Sequence, residues 1–322
     1  MQTYILRRLL YGLLTTFLVS LVIFALLRIA PGDVALTVAL QGDDTLTIEM
    51  IDPVELERIR NQLGLHHPLH IQYLIWIKGM ITFDWGESFY TGNSVFEEFK
   101  RRAPVTLQLA GMAIALSIVL GIPAGIVMAI TQDTWVDYVV RIWSLLGLSI
   151  PNFWIATMVI MVGVFYFDWS PRLIYITPFE DFWGNVAMYL WPVVATGVSS
   201  QATKARMMRS TMLEVLRQDY IRTARAKGLR SFVVINRHAL KNAMLPVVTI
   251  IGIQIAFIIG GSVIIETIFQ LPGIGILLVR AMNQRDYEIV QSLVTVLTVW
   301  IILTNLATDL LYGWLDPRVR FD

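Results

Sequence analysis

The chain of 322 residues is 56% hydrophobic and only 15% charged, with a mean hydropathy of +0.64 and a net charge of +1. Soluble domains carry about 25% charged residues, so this composition is that of a membrane protein, and the near-zero net charge excludes the global basic excess of a nucleic-acid binder. Without cysteine the chain has no disulfide framework, thiolate metal site or cysteine nucleophile.

The first element is the uncharged run Leu9 to Leu27, which follows Arg7 and Arg8. It is too long for the hydrophobic part of a secretory signal and nearly matches the roughly 20 residues that span hydrocarbon, so it reads as a retained first span. Five further uncharged runs follow: Thr106 to Ile130, Ile142 to Phe167, Phe182 to Thr203, Asn242 to Ile265 and Ile289 to Thr308. None alternates as a barrel strand would, and helices are the open-chain form that satisfies its own backbone in lipid. The expectation is an all-α, polytopic protein of six transmembrane helices.

Lys and Arg orient it. With the amino end inside, residues 1–8, 131–141, 204–241 and 309–322 hold 2, 1, 10 and 2 basic residues, whereas the outer loops 168–181 and 266–288 hold one and two. This places both termini in the cytoplasm. The long outer connection also carries Arg28, Arg58, Arg60, Lys78 and the cluster Lys100, Arg101 and Arg102, but loops beyond about 60 residues cross largely regardless of charge.

The organisation is therefore residues 1–29 as amino terminus and first span, 30–105 as an extracytoplasmic region, and 106–322 as the core, with a cytoplasmic loop at 204–246. Within 30–105, Val54 to Leu65 and Pro68 to Met80 have helical pattern, and the region is expected to fold over the outer mouth. Gly42 to Pro53 is acidic and turn-prone, a surface insert. Gly121, Pro123 and Gly125, then Pro151, Pro192, Gly260 and Gly261 interrupt the later runs. Two readings stay open for them, kinks in a bundle that reorients or the ordinary frequency of such residues in membrane helices. Tryptophans 183, 191, 300 and 314 lie toward run ends, where interfacial anchors belong.

Between Lys204 and Lys241 stand ten basic residues against Glu214 and Asp219. Topology and anionic headgroups alone would explain a basic loop. Three details exceed that explanation. Met208, Met212, Leu213, Leu216 and Tyr220 recur at helical spacing, predicting an amphipathic helix from Lys204 to Tyr220. Gly228 follows the compact run Ala224 to Lys227 and suits a left-handed helix end. Ser231 is placed to cap a helix over Phe232 to Met244, before Pro246 opens the next span. The small residues Thr223, Ala224, Ala226 and Gly228 would let another surface approach a turn held between two stiff helices.

DYIRTARAKGL (Asp219 to Leu229) followed by RHALKNAMLP (Arg237 to Pro246) resembles the cytoplasmic coupling loop of ABC importer permeases, in the first-permease branch of the dipeptide and oligopeptide family. The likeness extends to YILRRLL at Tyr4, APGD at Ala30, LGLHHPLHIQYLIWI at Leu63, SIPNFW at Ser149, ETIFQLPGIG at Glu266 and DLLYGWLDPRVR at Asp309. The general motif of such permeases opens Glu-Ala-Ala with a glycine four residues on. Here those positions are Arg222, Thr223, Ala224 and Gly228, a variant of the peptide branch. Val34 and Phe83 stand where the branch has proline and glycine.

The resemblance implies a type I ABC importer permease fold in a prokaryotic inner membrane. It also implies a second homologous permease, two ABC ATPases that use ATP and Mg, and an extracytoplasmic solute-binding protein. The chain itself would bind no cofactor, and consistently it lacks the glycine-rich Walker loop that cradles phosphates. Tyr220, Arg222, Thr223, Ala224, Arg225, Ala226, Lys227 and Gly228 would then couple to the ATPase. Peptides, nickel complexes and some oligosaccharides are solutes of this branch.

No catalytic or metal constellation competes. His66, His67 and His70 lack helical pairing and an acidic ligand, and His238 lies among arginines. Ser149 and Ser210 have no nucleophile context. Glu266, Asn305 and Asp309 border the last spans and are candidates for the pore or for helix pairing. An ion-coupled secondary transporter, in which such acids titrate, and a non-transporting scaffold are the alternatives.

Overall fold

The computed structural model describes residues 2–29, 34–39, 52–62, 64–172 and 174–315. They are almost wholly helical: α1 (Gln2–Ile29), α2 (Val34–Ala39), α3 (Pro53–Gln62), α4 (Leu69–Thr82), α5 (Val95–Ile130), α6 (Trp135–Ser149), α7 (Asn152–Phe167), α8 (Phe182–Leu216), α9 (Asp219–Ala226), α10 (Ser231–Val233), a π turn (Val234–Ala239), α11 (Leu240–Phe269), α12 (Ile274–Gln284) and α13 (Tyr287–Leu315). The helical patterns read at Val54 and Pro68 are α3 and α4; α2 and α12 carried no signal strong enough to predict. The APGD turn and most of the insert at Gly42 to Pro53 lie outside the described residues, as does the end of the motif at Asp309.

By length and composition, four of the described helices can cross a membrane: Thr3–Ile29, Val95–Ile130, Ser231–Phe269 and Tyr287–Leu311. The run Ile142 to Phe167, read as one span, is instead the pair α6 and α7, bent by 94°. Counting this pair brings the total to five. Pro151 is the cause: it caps α7 without donating, and it drives Ile150 to an extended φ of −100° and ψ of 120°. The sixth expected span lies in α8, a helix of 35 residues and so about 50 Å long. It is less apolar than the others because it packs on protein, and its buried face holds Asn185, Gln201 and Lys204.

The chain divides into two compact units, Met1–Ile5 with Thr106–Leu271 and Ile301–Asp322, and Leu6–Val105 with Pro272–Trp300. In the first, α6, α7 and α11 pack against α8. Gly121 and Gly125 of α5 also meet it, and a Cβ on Gly125 would lie 2.6 Å from the Ala205 carbonyl oxygen. That spacing of small residues is how membrane helices bring backbones together. Pro123, Pro192 and Pro246 all sit within helices that run through them. Only Pro151 breaks its run.

In the second unit, Trp85, Val95, Ile274, Leu277 and Leu293 belong to one buried cluster, and Phe24, Tyr73 and Trp76 form another. The Ser20 hydroxyl lies 2.8 Å from that of Tyr73, joining α1 to α4. Helix α4 ends at Phe83, whose φ of 61° is left-handed and whose amide donates to the Gly79 carbonyl. This is the position where the resembled family has glycine, the residue that adopts such a φ without strain. Phe83→Val is therefore expected to destabilise by about 1–2 kcal/mol, because a β-branched residue suits this region least. Phe83→Gly is expected to be tolerated. Thermal unfolding of the two purified variants checks both.

Candidate coupling site

The basic segment forms an elbow, and its turn is closed by backbone chemistry. Helix α9 has Asp219 in its first turn, and its Thr223 hydroxyl donates to the Asp219 carbonyl at 3.0 Å. The helix stops because Gly228 takes φ +75°. The Gly228 amide donates to the Arg225 carbonyl at 2.9 Å and the Leu229 amide to the Ala224 carbonyl at 3.4 Å, the paired bonds of a Schellman end. This is the left-handed stop expected at Gly228.

Within α9 the side chains divide by face. Ile221 and Ala224, three residues apart, are buried at 0% and 8% exposure. They pack with Met208 and Met212 of α8, Ala129 of α5, Val234 and Ala239 of the π turn, and Ala243 and Val247 of α11. Arg222, Thr223, Arg225, Ala226, Lys227 and Gly228 are exposed. Ala224, one of the small residues expected to admit another surface at the turn, directs its Cβ toward the bundle. Tyr220 is exposed but tied down, its hydroxyl accepting from Asn242 Nδ2 at 2.7 Å. Arg222 pairs with Asp219 at 3.3 Å on a solvated edge, a contact worth little.

Two expected helix boundaries differ. The amphipathic helix from Lys204 to Tyr220 is not separate, because α8 continues from Phe182 to Leu216 and the chain turns at Arg217 and Gln218. Ser231 makes no capping hydrogen bond, and the helix predicted from Phe232 to Met244 is the start of one 39-residue stretch, Ser231–Phe269, that passes through Pro246. Met244 and Leu245 sit in an unbroken helix, so the elbow connects to the span with no hinge at the proline. The π turn Val234–Ala239, one residue wider than α per hydrogen bond, lies at the elbow itself.

The border acids meet partners inside the chain. Glu266 is fully buried and accepts from Thr106 Oγ1 at 2.7 Å and Ser262 Oγ at 3.0 Å. Asp309 accepts from the Tyr4 hydroxyl at 3.1 Å, and Asn305, one turn earlier, is half-buried. Glu266 and Asp309 thus face different groups. Sequence reasoning missed a third polar centre: Asp137 of α6, fully buried, accepts from Arg209 Nε and Nη2 of α8 at 3.2 and 2.9 Å and from Arg141 Nη2 at 2.5 Å. Lys204, also fully buried, donates to Ser200 Oγ and to Gln254 of α11. A lysine and an arginine one and six residues beyond an apolar run were the available signal, and both were counted only as loop charge.

Comparison with known proteins matches residues 121–321 to the model of the binding-protein-dependent transport system inner membrane component, and residues 1–110 to the amino-terminal model of the same kind of component. The chain belongs to this family of transport permeases. The permease is 35% identical to the dipeptide transport system permease DppB of Alkalihalophilus pseudofirmus, with all of both chains covered. It is 38% identical to a putative peptide transport system permease of Brucella abortus, again over the whole of both. A probable peptide ABC transporter permease of Sinorhizobium fredii is 37% identical over 321 residues. Among solved structures, a chain of the MetNI methionine ABC transporter in inward-facing conformation shares the fold, at TM-score 0.56 and 17% identity, covering 68% of the permease and 96% of that chain. The permease is thus a multi-pass inner-membrane transport component, a non-enzymatic class, with the type I ABC importer fold. The relatives lend nothing to an ion-coupled transporter.

Proposed function

We propose that the permease forms half of the translocation path of an ATP-driven importer of di- or oligopeptides, and that the α9 elbow receives the stroke of the ATPase subunits. The proposed partners are a second homologous permease, two ABC ATPases that hold ATP and Mg, and an extracytoplasmic solute-binding protein. Peptide as the solute rests on what the relatives are named for. Both termini and α9 lie in the cytoplasm in this reading, residues 30–105 lie outside, and Glu266, Asn305 and Asp309 hold helices together.

One observation carries the coupling role: α9 offers an exposed basic face while its apolar face is bolted to α8 and α11. A load on Arg222, Arg225 or Lys227 passes through Ile221 and Ala224 into those long helices, with no loose joint between. Gly228 closes the elbow, and a Cβ there meets open space, so bulk at this site is tolerated sterically and strained only by its φ. The strain is roughly 1–2 kcal/mol. Gly228→Trp in the assembled complex is therefore expected to leave the permease folded, to block the docking surface, and to abolish uptake together with stimulation of the ATPase by loaded binding protein. Normal uptake with undiminished stimulation would remove the coupling role.

A further inference from the structure

Between α6 and α8 lies a cavity of about 730 Å³ that neither the elbow nor the border acids use. We propose that it binds the phosphate headgroup of an anionic phospholipid, with the acyl chains lying along α6.

The charge lining it is unbalanced. Arg141, Arg206, Arg209 and Arg217 face Glu214 as the lone acid of the lining, with Asp137 held behind Arg141 and Arg209. One carboxylate between two guanidiniums leaves surplus positive charge at the floor. Arg206 and Arg217 are exposed and, among the described residues, form no ion pair.

Two unpartnered polar atoms of lining residues favour an oxygen-rich ligand. Ser144 is 5% exposed, and its Oγ is buried without a hydrogen-bond partner. Arg141 Nε is likewise buried and unpartnered, although the same guanidinium grips Asp137 through Nη2. A donor left buried without an acceptor is destabilising, and a phosphate oxygen would serve both. Arginine suits this task because its planar fork can hold a carboxylate and a phosphate at once.

The rest of the wall favours a lipid over a free anion. Leu145 and Leu148 line the cavity and remain 46% and 40% exposed. Beside them α6 presents Trp135, Tyr138, Ile142 and Trp143, each more than half exposed. Aromatic and aliphatic side chains on one ridge belong to the interface between headgroups and hydrocarbon. Basic pockets between membrane helices with such surroundings suit a phosphodiester that carries acyl chains.

The test uses the assembled transporter in nanodiscs of phosphatidylcholine with and without phosphatidylglycerol, followed by native mass spectrometry of retained lipid. Wild type is expected to keep phosphatidylglycerol selectively. Arg206→Gln or Arg217→Gln should weaken retention roughly fivefold, and the pair roughly 25-fold. Ser144→Val should weaken it too, and Lys100→Gln, an exposed cation that is not part of the lining, should not. Equal loss in Lys100→Gln would mean diffuse attraction and overturn the site. Displacement of the lipid by millimolar inorganic phosphate would make it a free-anion site and overturn the lipid assignment. Release of the ATPase subunits by the arginine variants would assign these side chains to protein docking, with the same consequence.

Discussion

Ile221→Asp is expected to detach the elbow while the bundle stays folded. Ile221 is fully buried: Met208, Met212, Val234, Ala239 and Ala243 belong to its cluster. A carboxylate there loses the side chain's transfer energy and cannot stay charged among those groups, a combined cost of about 3 kcal/mol or more. Helix α9 has only eight residues and two buried anchors, so it can release locally at less cost than global unfolding. Hydrogen exchange should accelerate across residues 219–229 and stay slow in the middle of α11. Uptake by the assembled complex should be lost while basal ATP hydrolysis persists. Ile221→Val, which removes one methyl group, should cost about 1 kcal/mol and leave uptake intact. Unchanged exchange in the aspartate variant would show that α9 is held by something other than this face.

The second large effect is expected at Asp137. Its carboxylate takes three hydrogen bonds from two arginines and a fourth, at 3.1 Å, from the Asp133 amide. Removing the carboxylate breaks these bonds and leaves two partly exposed arginines without their counter-charge, so Asp137→Ala is expected to destabilise by about 2–3 kcal/mol. The ionic link between α6 and α8 would go with it. Arg209→Gln alone should cost less, because it is partly exposed, and the Asp137→Ala, Arg209→Gln double variant should be more stable than the sum of the two losses predicts. Unfolding temperatures of the four detergent-solubilised proteins close that cycle. Strict additivity would mean that the pair does not couple.

These two sites mark the limit of what the chain discloses before it is folded. The elbow was legible because its determinants are local: glycine at the one position that needs a positive φ, a helical repeat of apolar residues ahead of it, and small residues at the turn. The direction of Ala224 was not legible, since a small side chain suits an exposed contact and a tight interior equally, and only the position of α8 and α11 distinguishes them. Asp137 and Arg209 are 72 residues apart, a separation across which no periodicity or motif connects them.

Hydropathy and the distribution of arginine and lysine determined that this is a helical membrane protein, because twenty apolar residues in a row have few alternatives. Helix ends were less certain, since a proline in a membrane helix can break it, as Pro151 does, or be carried through, as Pro246 is. Which of these happens is decided by the neighbours that can take up the freed backbone groups. The tertiary structure alone decided which polar side chains are buried and against what: Glu266 on Thr106, Lys204 on Gln254, Asp137 between two arginines. The energy of such a group depends on its surroundings in space, and a linear sequence states the group without the surroundings.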